Sequence, residues 1–293
     1  MSAASSPPAS GAGPQARTLR GAEAQPGAAP HARSASGQVR YERDGAIAFV
    51  TLDHPGRMNA ITVAMWRQLG QVFGELAADL SVRCVIVAGA GGNFAAGADI
   101  REFPQERGDS AAVQNYHRNI LAPTLRAIAD CPHPVVASIE GVCVGGGLEI
   151  ASQCDLRIAG ASARFGVPIN RLGFPMAPDE MQGLLALAGP AATLALLLEG
   201  RIVDAAEAHA LGLLTRVVAD AEVTAATQEC AARILRGAPL AARINKRTLR
   251  RLARGEPLQE KEYPGFFSYA DSHDHREGVR AFLAGEEPTF SGD

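Results

Sequence analysis

The stretch GVCVGGGLEIASQCD places the strongest constraint on how this chain folds. Three consecutive glycines, Gly145 to Gly147, stand directly before a helical segment that carries Glu149 in its first turn. Glycines at the start of a helix let another group approach the backbone closely, and the first N–H groups there have no partner inside the helix. Because the positive end of the helix dipole lies beside them, these N–H groups suit an anion, or an oxygen that becomes negative during a reaction.

Other glycine motifs do not explain this stretch. Neither G-x-G-x-x-G nor G-x-x-x-x-G-K-[ST] occurs at the strand-to-helix junction, and no G-x-S-x-G is present. A phosphate loop and the nucleophile turn of an α/β-hydrolase are therefore not expected. A second stretch rich in small residues, GAGGNFAAGADIREF, follows another apolar run. The two stretches either supply one N–H each to a single carbonyl oxygen, or form tight turns that let helices pack on a sheet.

Composition bounds the size, charge and compartment of the protein. The 293 residues are 47% apolar, which is enough to bury the core of an enzyme. A formal charge of −3 and a pI near 6.2 give no basic field that would attract nucleic acid or an anionic membrane. The five cysteines lie mostly in apolar runs and indicate a reducing compartment without disulfides, so we expect a cytoplasmic protein. Gly189 and Pro190 interrupt the apolar stretch LLALAGPAATLALLLEG, and no membrane span is expected.

Local composition divides the chain into three parts. Residues 1–37 are almost wholly Ala, Pro, Gly and Ser with a few Arg, which predicts a disordered tail. The same composition resembles a transit peptide, although the prolines and glycines oppose an amphipathic helix. In residues 38–240, strand-like runs alternate with helical ones, which predicts an α/β core, and the chain is mainly helical from about residue 178. Residues 241–293 are expected to form a C-terminal helical region.

Three segments taken together resemble the enoyl-CoA hydratase/isomerase (crotonase) family: FAAGADIREF, PVVASIEGVCVGGGLEIASQCDLRIAGASARFG and DSHDHREGVRAFL. The resemblance implies a spiral of ββα units, a C-terminal helical region that builds trimers or dimers of trimers, and an acyl-CoA thioester as substrate. It also implies that the N–H groups of Ala98 and Gly146 hold the thioester oxygen, without a metal or a redox cofactor. Such N–H donors stabilise an enolate more than the uncharged substrate.

The resemblance identifies Glu149 as one of two glutamates that hold and activate water in family hydratases. The second glutamate is expected after ARFG, but this chain has Ile169 there. An isoleucine exchanges no proton, so a reaction that needs one carboxylate, such as a double-bond shift, a lyase step or a decarboxylation, is favoured over simple hydration. The neighbouring Asn170 has an amide that can orient water but cannot act as a base.

Two acids follow in the segment FPMAPDEMQGL. Asp179 and Glu180 belong to a first helical turn, where carboxylates cap the helix and complement its dipole. Alternatively, one of them replaces the missing carboxylate. By the resemblance, the residues expected to contact coenzyme A are Arg57, Ala96, Asp99, Ile100, Arg101 and Lys246.

Two further clusters carry weaker signals. His273 and His275 have metal-binding side chains but an i, i+2 spacing that does not share one helical face, so no metal site is expected. Cys131 and His133 are expected to form a rigid loop before a strand rather than a nucleophile pair. The sequence therefore predicts an acyl-CoA enzyme that works through an enolate; the alternative is a protein that binds the thioester with little turnover.

The first prediction concerns the N-terminal tail. A chain that begins near Gln38 is expected to remain soluble and to keep its affinity for acyl-CoA, because the removed residues contain too little apolar mass to contribute to a core. Solubility and thioester affinity of the shortened and full chains test this. Loss of either property in the shortened chain would contradict the prediction.

Overall fold

The structure is a computed structural model that describes residues 36–293, so the predicted disordered tail lies outside the described residues except for its last two. The nine strands of the described chain are β1 (Gln38–Asp44), β2 (Ile47–Asp53), β3 (Cys84–Gly89), β4 (Val135–Ile139), β5 (Val142–Val144), β6 (Leu156–Gly160), β7 (Arg164–Gly166), β8 (Val203–Asp204) and β9 (Arg216–Val218).

The α-helices of the same residues are α1 (Val63–Ala78), α2 (Phe103–Glu106), α3 (Ser110–Asn115), α4 (Ala122–Asp130), α5 (Gly146–Gln153), α6 (Pro178–Glu199), α7 (Ala205–Ala210), α8 (Val223–Leu235), α9 (Pro239–Ala253), α10 (Tyr263–Phe267) and α11 (His273–Ala284). The alternation of strands and helices confirms the predicted α/β class. Because α9 begins at Pro239, the boundary predicted between residues 240 and 241 falls inside a helix.

A twisted six-stranded sheet carries the core, in the order β1-β2-β3-β4-β6-β9. β1 and β2 form an antiparallel hairpin, and the other neighbours in this sheet are parallel. Helix α1 packs Trp66, Leu69, Phe73 and Leu76 inward at helical spacing, and Thr62 caps its first turn by accepting a hydrogen bond from Met65 N. These side chains belong to one continuous apolar cluster with the sheet.

A second sheet of three short strands, β5-β7-β8, lies beside the large one. The units β4-β5-α5 and β6-β7-α6 each place their first strand in the large sheet and their second strand in the small one, where β4 pairs with β6 and β5 with β7. Successive ββα units therefore repeat the same path, one strand further along. These short strands of two or three residues were not predicted, because they are too short to show an alternating pattern.

The preceding turn of the spiral extends the small sheet by a single bridge. Ala95 pairs with Cys143 in parallel, and Ala98 pairs with Ile61. In the unit that contains Cys143, Gly145 to Gly147 follow the short strand β5. The loop around Ala98 has the corresponding position in the preceding unit, because it follows Ala95. Residues that follow the short strand in consecutive units are thereby brought side by side.

The segment AVQNYHRNILAPTLRAIADC has apolar residues at helical spacing, which predicts one helix, but the structure divides it into three pieces. Between α3 and α4, residues Tyr116–Leu121 form a π-helical turn. Such a turn contains one more residue than a regular helical turn, which changes the direction of every side chain that follows. Neither the apolar spacing nor the residue types of this segment indicate it.

Helix α6 is broken at Gly189, whose φ of 70° and ψ of 175° are not helical, and Pro190 follows the break. By length and composition, α6 is the one described helix that could cross a membrane. Its N-terminal half buries Glu180 and Leu184 against the rest of the protein, and the break divides it into two shorter helices. The predicted interruption at these two residues is confirmed.

The second prediction concerns the close packing of the glycine turn. A Cβ added to Gly147 would lie 2.3 Å from the Ala95 carbonyl oxygen, so Gly147→Ala is expected to lower the free energy of unfolding by about 1–3 kcal/mol. Gly74→Ala is the control, because a Cβ there meets open space on an exposed face of α1 and is expected to stabilise the protein by about 0.5–1 kcal/mol. Chemical denaturation measures both; equal effects of the two substitutions would contradict the packing.

Candidate active site

One cavity lies where the loops after the short strands meet helices α1, α2, α5 and α6 and the π-helical turn. Its walls are mostly apolar and contain two carboxyl groups, an imidazole, a guanidinium and several backbone amides. The lining residues are Trp66, Ala96, Gly97, Ala98, Ile100, Phe103, Arg107, His117, Leu121, Val144, Gly145, Gly146, Glu149, Pro168, Ile169, Leu172, Phe174 and Glu180. A concave apolar site with a few convergent polar groups is the usual form of a ligand site.

The N–H groups of Ala98 and Gly146 reach this cavity from two neighbouring loops. An ideal Cβ on Gly146 would lie 3.6 Å from Ala98 N, so the two segments are in contact. Gly97 makes the approach possible with a φ of 99°, a conformation that glycine adopts readily. Among residues 36–293, neither N–H donates to a backbone or side-chain acceptor of the protein. The structure thus brings the two predicted donors together, both available to one ligand oxygen.

Glu149 lies in the first turn of α5, directly beyond these donors. Its side chain is buried, with 5% of the residue exposed, although it lines the cavity. Burial raises the pKa of the Glu149 carboxyl well above its usual range, the negative charge of Glu180 raises it further, and the Arg107 guanidinium opposes both effects. A carboxyl group in this state keeps its proton to a higher pH than an exposed glutamate does, which suits a proton donor.

Glu180 is the second carboxyl group of the cavity. It is 3% exposed, and one of its oxygens is hydrogen-bonded to Nδ1 of His117, a residue of the π-helical turn. His117 also lines the cavity. Of the two acids in the first turn of α6, Glu180 is therefore the one that lines the cavity, where a second carboxylate would be needed.

The other auxiliary residues lie elsewhere. Asp179 is exposed on the first turn of α6, as expected of an acid that complements a helix dipole. Asn170 is also exposed outside the cavity lining, and its amide donates to the Leu198 carbonyl at 2.9 Å, so its role in orienting water stays a prediction. Ile169 does line the cavity, which agrees with an apolar side chain where the family has a glutamate.

The residues expected to contact coenzyme A are divided by the structure. Ala96 and Ile100 line the cavity, and Ile100 is 55% exposed at its edge. Asp99 is buried and accepts hydrogen bonds from the backbone and side chain of Arg101, whose ion pair fixes the short turn behind Ala98. Arg57 is exposed in the loop before α1.

Lys246 is the one of these residues that the structure places in another environment. Its ammonium group donates to the His133 carbonyl at 2.8 Å and pairs with Asp155 at 2.7 Å, and its side chain is nearly buried. The residue is absent from the lining of the cavity and joins α9 to the large sheet instead. Lys246 therefore forms a structural ion pair outside this cavity, and its contact with coenzyme A stays a prediction.

The two weaker clusters do not form catalytic pairs. Nε2 of the buried His133 interacts with the Leu76 carbonyl at 2.9 Å, and burial raises the pKa of the Cys131 thiol, which therefore remains a poor nucleophile. All five cysteines are free and buried. His273 lies near Asp274 and Asp293 rather than His275, and its Nδ1 lies 3.0 Å from the Ser291 hydroxyl oxygen.

Four functional side chains of the cavity were not predicted: Trp66, Arg107, His117 and Phe174. Arg107 stacks on the Phe103 and Tyr116 rings, with its Cζ 3.9 Å and 4.0 Å from their centroids. His117 contacts an acid 63 positions away. The only local signals were Gly108 after Arg107 and Pro123 in the first turn of α4, neither of which indicates chemistry.

Known proteins are similar in sequence to this chain over nearly the whole of its described length. A model of the enoyl-CoA hydratase/isomerase family matches residues 42–293. The chain belongs to this family. It is 34% identical over 215 residues to the short-chain-enoyl-CoA hydratase of Clostridium acetobutylicum, covering 73% of this chain and 81% of that protein. It is 32% identical over 256 residues to the enoyl-CoA hydratase EchA19 of Mycobacterium tuberculosis, covering 85% of this chain and 94% of that protein.

A solved structure is also similar. The enoyl-CoA hydratase/carnithine racemase from Magnetospirillum magneticum superposes with a TM-score of 0.85 at 44% identity, over 87% of this chain and 96% of that one. The predicted crotonase fold of the enoyl-CoA hydratase/isomerase family is thereby confirmed.

The third prediction follows from the buried Glu149 carboxyl. A carboxyl group whose pKa is raised by folding contributes stability at low pH, and this contribution is lost as the pH rises above its unfolded pKa toward the folded one. Glu149→Gln keeps the size and removes the ionisation. The melting temperature of the variant relative to the parent is therefore expected to increase between about pH 5 and pH 8.

The matched control is Glu75→Gln, a change of the same chemistry on the exposed face of α1. The difference in melting temperature between this control variant and the parent is expected to stay constant over the same pH range. A shift of about 1 kcal/mol in the free energy of unfolding corresponds to roughly 2–4 °C for a domain of this size, which differential scanning calorimetry resolves. A difference for Glu149→Gln that does not depend on pH would contradict the raised pKa.

Proposed function

We propose that the protein adds water to the double bond of a 2-enoyl-CoA thioester. The observation that supports this most is the presence of two carboxyl groups, Glu149 and Glu180, in one cavity beside two unpaired backbone N–H groups. The preference for a one-carboxylate reaction depended on Ile169, and α6 supplies the second acid from a different element. The names of the hydratases that resemble this chain agree with water addition.

The two acids are suited to different steps. Glu180 is held by His117 and takes a proton from a bound water, while the water oxygen forms its bond to Cβ of the substrate. The electrons of the double bond move onto the thioester oxygen, which accepts hydrogen bonds from Ala98 and Gly146 as an enolate. When the enolate collapses, Cα takes the proton of Glu149.

The sum of these steps is the addition of one water molecule. Glu180 ends with one proton more and Glu149 with one fewer, and a proton transfer between the two restores the starting state. No electrons are gained or lost, so the reaction requires no oxidant or reductant, and we propose no cofactor beyond the coenzyme A of the substrate. Activity is expected to decline when the pH exceeds the raised pKa of Glu149, because the proton donor is then lost.

Two alternatives remain proposals. If Glu180 only positions His117, Glu149 works alone, and the reaction is a double-bond shift, a lyase step or a decarboxylation through the same enolate. If neither acid exchanges protons with a substrate, the protein binds acyl-CoA without turnover. The product formed from a 2-enoyl-CoA thioester distinguishes hydration, a one-carboxylate reaction and binding without turnover.

We also propose a homotrimer or dimer of trimers in the cytoplasm. Support for assembly comes from α11, where Phe282 and Leu283 are 85% and 79% exposed at the end of the described chain. Apolar side chains exposed to this degree are typical of surfaces that a partner covers.

The fourth prediction tests the role of Glu180. Glu180→Gln is expected to lower the rate of hydration of a short 2-enoyl-CoA by about 10²–10⁴-fold, because the amide accepts no proton from water. Asp179→Asn is the control, since it makes the same chemical change one residue away on the exposed side of the same helical turn. It is expected to leave the rate unchanged.

The contrary outcomes separate the alternatives. Hydration that persists in Glu180→Gln but is lost in Glu149→Gln would assign the chemistry to Glu149 alone. A shifted double bond without any hydrated product from the parent would indicate an isomerase. Thioester affinity without product would indicate a binding protein.

A further inference from the structure

In residues 36–293, two buried nitrogen donors of the cavity have no acceptor within strict hydrogen-bond geometry, although the Tyr116 hydroxyl lies near both. They are Nε of Arg107 and Nε1 of Trp66, and both side chains line the cavity that holds Glu149 and Glu180. A buried donor without a partner costs about 1–3 kcal/mol, more when it is charged, so such a group indicates a ligand acceptor or a strained site. Neither donor contacts a reacting atom in the proposed hydration, although the charge of Arg107 acts on the pKa of Glu149.

Arg107 is held in place by aromatic rings rather than by an acid. Its guanidinium lies 3.9 Å from the Phe103 centroid, 4.0 Å from Tyr116 and 5.3 Å from Phe174. None of the ion pairs in residues 36–293 includes it, whereas most of the other arginines with a fixed side chain contact a carboxylate or a carbonyl oxygen. The rings fix the direction of the guanidinium and leave its charge without a counterion in contact.

Trp66 brings its donor to the same region. The residue is fully buried in α1, and its indole lies 3.0 Å from the place where a Cβ on Gly146 would be. Burial raises the pKa of Tyr116 to about 12, while the charge of Arg107 and hydrogen bonding from Arg107 and Trp66 act in the opposite direction. Tyr116 is therefore a common neighbour of the two donors.

The acceptor that suits these donors is a carboxylate. A guanidinium offers donors in a planar fork that matches the two oxygens of a carboxylate, and the ionised acceptor supplies the missing counterion. Glu149 does not fill this role, because it forms no ion pair with Arg107 and its buried carboxyl favours the protonated state. The remaining walls here are the apolar side chains of Phe103, Leu121 and Phe174, which suit the carbon chain that leads to such a group.

We infer that Arg107 and Trp66 form a subsite for a carboxylate on the acyl group, so that the preferred substrate is a coenzyme A monothioester of an unsaturated dicarboxylic acid. This inference rests on the proposed function, because it assumes that the acyl group occupies the cavity between the oxyanion donors and Arg107. The apolar rings around the guanidinium strengthen its attraction for the anion by excluding water.

The fifth prediction compares two series of 2-enoyl-CoA thioesters of increasing length, one ending in a methyl group and the other in a carboxylate. The parent is expected to have the higher kcat/KM for a carboxylate-ended thioester than for its methyl-ended counterpart. Arg107→Met is expected to lower kcat/KM for the carboxylate-ended thioester by about 10–100-fold more than for the methyl-ended one, because both lose the effect of Arg107 on Glu149 and only the first also loses a charged hydrogen bond. Arg118→Met is the matched control, an arginine of the same segment that is exposed outside the cavity.

Two further variants guard against misfolding. Arg107→Lys keeps the charge and loses the fork, so an intermediate preference is expected, and Trp66→Phe keeps a ring and loses only the N–H. Each variant is included only if its melting transition matches that of the parent. An equal loss of activity toward both thioesters in Arg107→Met would overturn the inference and assign Arg107 an effect on Glu149 instead.

A binding measurement separates this inference from the proposed function. Saturated acyl-CoA thioesters with and without the terminal carboxylate are titrated into the parent and Arg107→Met by calorimetry. A carboxylate preference that depends on Arg107, in a protein that hydrates neither series, would leave the subsite standing and refute hydration. Equal affinity of the parent for both thioesters at every length, or hydration that favours the methyl-ended series, would refute the subsite.

Discussion

The close approach of two backbone turns is the constraint on which the site depends. The turn at Gly97 and the turn at Gly145 to Gly147 meet because Ala95 and Cys143 pair in the small sheet, and Gly147 lies against the Ala95 carbonyl with no room for a side chain. This contact fixes both N–H groups before any ligand arrives. Donors that are already oriented require no reorganisation when charge develops on a substrate oxygen. The start of α5, and with it Glu149, is positioned by the same contact.

The stability of the fold is reduced by the groups that make the site reactive. Glu149 is buried near Glu180, and its charged form is unfavourable for both reasons. Each unit by which a pKa is raised corresponds to about 1.4 kcal/mol of preference for the neutral form. The orphan donors of Trp66 and Arg107 add to this cost. The apolar cluster that joins α1, the sheet and α5 supplies the compensating stability, and it surrounds the polar groups on the side away from the cavity.

What the sequence predicts depends on how local each signal is. The hairpin β1-β2, helix α1 and the glycine turns follow from short patterns, and so do the positions of Ala98, Gly146 and Glu149. Glu180 carried only the local signal of an acid at a helix start, which Asp179 shares, and their different burial arises from the direction in which α6 packs. His117 and Arg107 gain their roles from contacts with residues on other elements. No spacing within their own segments encodes those contacts.

The π-helical turn at Tyr116–Leu121 makes the site sensitive to a change in chain length that spares every functional side chain. A regular α-helix advances about 100° per residue. Deletion of one residue from the π-helical turn would let the turn relax to an α-helix, which would rotate His117 away from Glu180. The hydrogen bond between His117 and Glu180 can therefore be gained or lost in evolution through the insertion or deletion of one codon. Among relatives of this fold, alignment gaps in this segment are therefore expected to accompany a change of chemistry, just as substitutions of the two acids are.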